Sequence, residues 1–211
     1  MRRSRVILLV VGLAVVASEA RRCAIGGRPA PPVDVSVEPE QEAVEPPTVL
    51  TLRRDDRDFR LTFTHRYAVS GKVVSAWAYD WAWTSDFFDV DLGLIWGPRV
   101  DWLEEHFTFR QNARWLFWQT DRPVSAEERA LVTRSMGNQH LIPAEGRSGL
   151  DRAIRSAEEG DLVRIEGWLV AIHDDAGVEL ARSSTRREDS GGGACEIVYV
   201  ERFQKNGRLW D

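Results

Sequence analysis

Lysine is almost missing from this sequence. Lys72 and Lys205 are the only two among 28 basic residues, and the acids outnumber the bases, for a net charge of −5. Such a surface lacks the basic face that neutralises phosphates, so no nucleic acid is expected as a partner. Cysteine is nearly as scarce: Cys23 and Cys195 are the only two, which rules out a disulfide scaffold and allows one bridge at most. The chain contains no HExxH, no CxxC, no phosphate-binding glycine loop and no GxSxG. Zinc-peptidase, dithiol-redox, P-loop and serine-hydrolase chemistry therefore lack their signatures, and neither a cofactor nor a metal is expected. Beyond residue 20 no apolar run approaches the roughly 20 residues that a spanning helix needs.

The one apolar run stands at the N-terminus. Arg2, Arg3 and Arg5 precede Val6 to Ala17, and Ser18-Glu19-Ala20 puts small residues at the −3 and −1 positions of a cleavage site. A positive start, a short apolar stretch and a small-residue exit make a secretory signal, so residues 1–20 are expected to direct export to the periplasm or cell surface. Contact with a membrane is expected only if this leader stays uncleaved as an anchor. Six of the nine prolines (Pro29, Pro31, Pro32, Pro39, Pro46 and Pro47) then share residues 21–57 with the acids Asp34, Glu38, Glu40, Glu42 and Glu45. Proline and like charge hold a chain extended, so this stretch is expected to be a disordered tether.

Residues 58–205 are expected to form one α+β domain, with 206–211 as a tail. Alternation over Leu61 to Tyr67 and Val73 to Tyr79 predicts two strands parted by Gly71, and Leu92–Trp96 a third. A helical turn or two over Asp101–Phe107 and a strand over Phe107–Trp118 follow. Ser125 with Glu128, and Ser148 with Asp151, are capping boxes that open two short helices stopped by Gly137 and Gly160. Leu162–Ile172 and Val178–Ser184 read as a hairpin, and Ala194–Phe203 as the last strand. The fold class is thus mainly antiparallel, in a barrel-like or strongly bent sheet.

Cys195 follows Gly191-Gly192-Gly193 at a loop–strand junction. Three readings stay open for it: a buried core thiol, a disulfide with Cys23, or a nucleophile, which needs a base and a positive neighbour. His140, between Gly137 and Pro143 in a predicted loop, is the candidate base. Asn138 would orient its imidazole, and Arg186 or Arg187 would stabilise an oxyanion. His65, His106 and His173 fit structural or solvated roles. Asp86, Asp89 and Asp91 form an acidic stretch that could attract calcium but lacks the spacing of a full oxygen cage. Among nine tryptophans, Trp77, Trp81 and Trp83 share parity on an extended chain. Buried they are core; exposed they offer sugar or protein a stacking surface.

The segments "YAVSGKVVSAWAY", "DLGLIWG", "NQHLIPA", "EEGDLVRIEGWLV" and "SSTRREDSGGGACEIVYVE" resemble a family of uncharacterised bacterial exported proteins, over most of residues 67–201. The resemblance implies a single domain outside the cytoplasm and brings no activity. The order His140, "EEGDLVRI", Cys195, Arg202 is also similar to the sortase cysteine transpeptidases, β-barrels that use His, Cys and Arg in that order. On one unbroken strand, Cys195 and Arg202 would stand about 23 Å apart on opposite faces, which is why Arg186 takes the arginine's part in this reading. The leading expectation is an exported, non-enzymatic binding or structural module for an unknown envelope ligand or protein partner. The alternatives are a Cys195–His140 peptidase or transpeptidase and a carbohydrate-binding surface on Trp77, Trp81 and Trp83.

Overall fold

A computed structural model of the chain describes residues 26–54, 56–79, 88, 90–112, 114–186 and 195–211. The leader, Cys23, Trp81, Trp83, Asp86, Asp89 and Arg187 lie outside them. The fold is β-dominated, with eleven strands and three short helices among the described residues. The strands are β1 (Arg28–Pro29), β2 (Glu40–Arg54), β3 (Arg57–Ala78), β4 (Val90–Ile95), β5 (Thr108–Asn112), β6 (Trp115–Gln119), β7 (Met136–Pro143), β8 (Leu162–His173), β9 (Glu179–Arg182), β10 (Glu196–Lys205) and β11 (Arg208–Trp210). The helices are α1 (Val100–His106), α2 (Ala126–Arg134) and α3 (Leu150–Arg155). Helix α1, seven residues long, is the turn or two that the sequence suggests over Asp101–Phe107. Nine strands form one sheet, β5 and β6 a separate hairpin.

The pairing is mostly antiparallel, and the exception places the site: β7 and β10 run parallel. Pairings β10–β7, β7–β4, β4–β3, β3–β8 and β8–β10 run round in a ring of five strands. Strand β3 allows this by changing partners along its 22 residues. β8 pairs with Arg60 to Lys72, while β4 takes over from Lys72 to Ala78. Gly71 stands at that exchange. The two predicted early strands are one strand, because Gly71 serves close packing rather than a turn: a Cβ there would lie 3.0 Å from the Ile95 carbonyl oxygen.

The proline-rich stretch is not wholly separate from the domain. From Glu40 onward it is strand β2, paired along β3, with Leu52 buried. Pro46 and Pro47 are tolerated because they fall where the register breaks between Ala43 and Thr48, on an edge strand, where a missing N–H costs no ladder bond. The C-terminal residues likewise form β11 against β10.

Two apolar clusters result. The larger joins Leu61, Val69, Leu92, Leu94, Leu141, Ile165, Leu169, Val198 and Phe203. The smaller joins Val74, Ile95, Val100, Leu103, Phe107 and Val132, with Leu116, Trp118 and Met136 packed on it. Alternation explains the division: Leu92 and Leu94 face one way, Asp91, Gly93 and Ile95 the other. Phe107–Trp118, predicted as one strand, is helix end plus hairpin, folded back so that Phe109, Leu116 and Trp118 reach this second cluster.

Helix α2 delivers the chain into β7. Ser125 Oγ accepts from the Glu128 N–H at 3.1 Å and Glu128 accepts from the Ser125 N–H at 2.8 Å, the expected capping box. Ser125→Ala is expected to lower stability by about 1 kcal/mol in urea denaturation. The Glu128 carboxyl is held down at about 2, first by Arg122 and then by the Ser125 N–H. A depressed carboxyl stabilises above its unfolded value and loses that contribution as pH falls through the folded one. The stability gap between wild type and Glu128→Gln should therefore hold above about pH 5 and close as pH falls from about 4.3 towards 2.

Candidate functional site

The site grows out of one face of β4 and β7. Register sets Ile95 opposite Met136, Gly93 opposite Asn138, and Asp91 opposite His140. The first pair belongs to the smaller apolar cluster, and the face turns polar from there. On the far side of β7, Glu196 aligns with Gln139 and Ile197 with His140, so one step back along the parallel ladder Cys195 stands beside Asn138. Cys195, Asn138, His140 and Asp91 thus come to one face from three adjacent strands. Cys195 and His140 are diagonal neighbours, with Cα atoms about 8 Å apart at ordinary strand spacings.

His140 is not in a loop. "MGNQHLIP" is strand β7, and both His140 and Asp91 are fully buried. Helix α2 ends at Arg134, two residues before β7 begins, so Gly137 is not a terminator but a strand residue packed under Trp96. His140 Nδ1 lies against Asp91 Oδ1, as a charge contact rather than an aligned hydrogen bond. The two nitrogens of an imidazole point in opposed directions, so Nε2 faces away from Asp91. Among the described residues it has no hydrogen-bond partner. Phe88 stacks at a tilt on the ring, centroids 5.0 Å apart.

Asp91 is held from its other oxygen. Tyr79 donates to Oδ2 at 2.5 Å, and Asn138 Nδ2 and Gln111 Nε2 each approach it at 3.4 Å. The Tyr79 phenol is pushed far up, first by burial and then by its bond to Asp91 and that carboxylate's charge. It stays protonated at any ordinary pH and acts as a permanent donor. Arg114 partly offsets this shift and Cys195 adds to it, which puts both within electrostatic range of the phenol.

Hairpin β5–β6 covers this face. Leu116 seats in the hollow over Gly93, where an added Cβ would meet its Cδ1 at 2.7 Å. Gln111 accepts from Ser75 Oγ at 3.1 Å and donates to Asn138 Oδ1 at 3.3 Å. At the turn, the Arg114 carbonyl oxygen accepts from Asn138 Nδ2 at 2.9 Å and from Cys195 Sγ at 3.4 Å. Cys195 itself is half-buried and forms no disulfide among the described residues, which do not include Cys23.

Several sequence expectations are thereby corrected. Asn138 bonds the Asp91 carboxylate and a backbone carbonyl; the residue against the imidazole is Asp91, singled out in the sequence for calcium. Arg186 is exposed, and its guanidinium takes no part in the contacts of Cys195, His140 or Asp91 among the described residues. The arginine at the site is Arg114, whose Cζ lies 5.3 Å from the Phe88 centroid. Arg202 is occupied by Glu166 at 2.9 Å. Trp77 is 41% exposed, while its proposed partners Trp81 and Trp83 lie outside the described residues, as do Asp86 and Asp89. No group of three or more His, Cys, Asp or Glu among the described residues is placed to hold a metal. A cleft of about 420 Å³ opens elsewhere, between α1 and the hairpin, lined by Glu104, Glu105, His106, Thr108, Gln119 and Asp121.

What these elements define is a mixed β-sheet protein with a buried carboxylate–imidazole pair beside a half-buried thiol. No protein family, no curated protein and no solved structure matches the chain.

Proposed function

We propose that the protein is an exported, thiol-dependent acyl-transfer enzyme of the cysteine peptidase or transpeptidase type. Cys195 is the nucleophile, His140 the base, and Asp91 the group that orients the imidazole. The observation that carries this reading is the imidazole: Asp91 takes Nδ1, Nε2 has no partner among the described residues, and the strand register sets Cys195 one diagonal step away. The chemistry follows from that arrangement. His140 Nε2 takes the thiol proton as Sγ bonds to the carbonyl carbon of an amide or ester. The leaving amine or alcohol departs with that proton, and water or a second amine then takes the acyl group from sulfur. The five-strand ring is in keeping with a barrel-like, strongly bent scaffold, and the order His140, "EEGDLVRI", Cys195 with the sortase resemblance. The Arg2, Arg3, Arg5 start and the apolar Val6–Ala17 run support export.

The test is the pH dependence of alkylation by iodoacetamide, followed on the Cys195 peptide by mass spectrometry. The half-point is expected well below the ordinary thiol value near 8.5, and His140→Gln should return it there. An ordinary half-point in both proteins would leave a second reading, a non-enzymatic envelope binding module. That reading draws on exposed aromatics: Trp77, and Trp115 with Phe117 two residues apart on the outer face of β6.

A further inference from the structure

Two side chains from neighbouring strands converge on a single backbone oxygen. Asn138 on β7 and Cys195 at the start of β10 both donate to the carbonyl of Arg114, in the turn of hairpin β5–β6. The Arg114 oxygen stands within reach of both a thiol and an amide donor, as the oxygen of an acyl group on that thiol would. We propose that the Arg114 carbonyl occupies the acyl-oxygen position of Cys195, that Asn138 Nδ2 is the oxyanion donor there, and that the hairpin is a built-in occupant which a substrate amide or ester carbonyl displaces. This rests on the reading of Cys195 as a nucleophile.

Three observations support it. Asn138 is 4% exposed, with its amide fully engaged: Oδ1 takes Gln111, while Nδ2 reaches Asp91 and Arg114. If the hairpin lifts, one buried N–H of Asn138 loses its acceptor, and a substrate oxygen in the same place restores it. The hairpin is also held without ladder bonds to the main sheet. It forms its own two-stranded sheet, outside the nine-stranded ladder, and side chains such as Leu116 and Gln111 hold it down. The contact moreover engages the thiol itself, whose Sγ donates to the Arg114 oxygen at 3.4 Å.

Two reactions separate the parts of the proposal. Alkylation by iodoacetamide forms an S–C bond with loss of iodide and develops no oxyanion. Acylation by p-nitrophenyl acetate adds sulfur to a carbonyl carbon and places negative charge on its oxygen before nitrophenolate leaves. Leu116→Ala loosens the hairpin and is expected to speed alkylation of Cys195 about tenfold, with the pH half-point unchanged. Gly93→Ala, which pushes Leu116 out of its hollow, should do the same and serves if the first variant folds poorly. In the loosened background, Asn138→Ala should slow acylation about 100-fold and alkylation far less, since alkylation loses only the support of the Asn138–Asp91 bond. Folded variants that alkylate at the wild-type rate would overturn the occupant. Acylation and alkylation falling together would overturn the donor. A half-point at the ordinary thiol value in every variant would instead remove the nucleophile reading on which both depend.

Discussion

Replacing Asp91 with alanine is expected to cost about 3 kcal/mol or more of folding stability, because several buried donors lose the acceptor they share. The reason lies in what the carboxylate satisfies. Tyr79, Asn138 and Gln111 turn donors towards Oδ2, and His140 Nδ1 rests against Oδ1, all in a site where Asp91 and His140 have no exposure. Each donor left buried without an acceptor costs about 1–3 kcal/mol. Asp91→Asn keeps the volume and part of the bonding, so it should fold, with a smaller loss in urea denaturation. In that folded variant the alkylation half-point of Cys195 should rise towards the ordinary thiol value, because the carboxylate that holds His140 Nδ1 is gone. A loss under about 1 kcal/mol for Asp91→Ala would mean that the network is far wetter than its burial indicates.

Gly167→Ala is the second large effect. Gly167 pairs with Tyr67 on one side and with Val200 on the other, so it stands where β8 closes the ring between β3 and β10. A Cβ added there would lie 2.0 Å from the Tyr199 carbonyl oxygen and 3.1 Å from the Val200 Cα. These are backbone atoms, bound into ladders on both sides, so relief requires strands to part. The expected cost is about 3 kcal/mol or more in thermal or urea unfolding. Gly146→Ala is the comparison: its φ is +74° but nothing lies within 4 Å, so only local strain of about 1–2 kcal/mol applies. Equal costs for the two would show that the ring does not depend on close approach at Gly167.

The uneven legibility of this chain follows from how far each signal reaches. The capping box at Ser125 was legible because both partners lie three residues apart. Period-two patterns marked most strands, since alternation is a property of consecutive residues. β7 escaped because "MGNQHLIP" alternates polar and apolar weakly and begins just past a helix, so its glycine looked like a terminator; in the fold it lies between β4 and β10, which bury it on both sides. β2 escaped because its acids and prolines are tolerated only at an edge. The hairpin escaped because a continuous aromatic run gives no sign of where it turns back.

From the sequence alone came the β-rich class, the start of α2, and a short set of chemically able residues that included Cys195, His140, Asn138 and Asp91; the box expected at Ser148 and Asp151 does not form, since α3 starts after Gly149 with no side-chain cap. Their arrangement was decided by the tertiary structure. Asp91 and His140 are 49 positions apart, and Cys195 a further 55, so no local pattern relates them. They meet because β4, β7 and β10 are laid side by side in fixed register, and a ladder bond does not depend on which side chains it brings together. What meets the thiol is the backbone carbonyl of Arg114 rather than the Arg186 guanidinium, because a separate hairpin folds back over the site with Leu116 seated above Gly93.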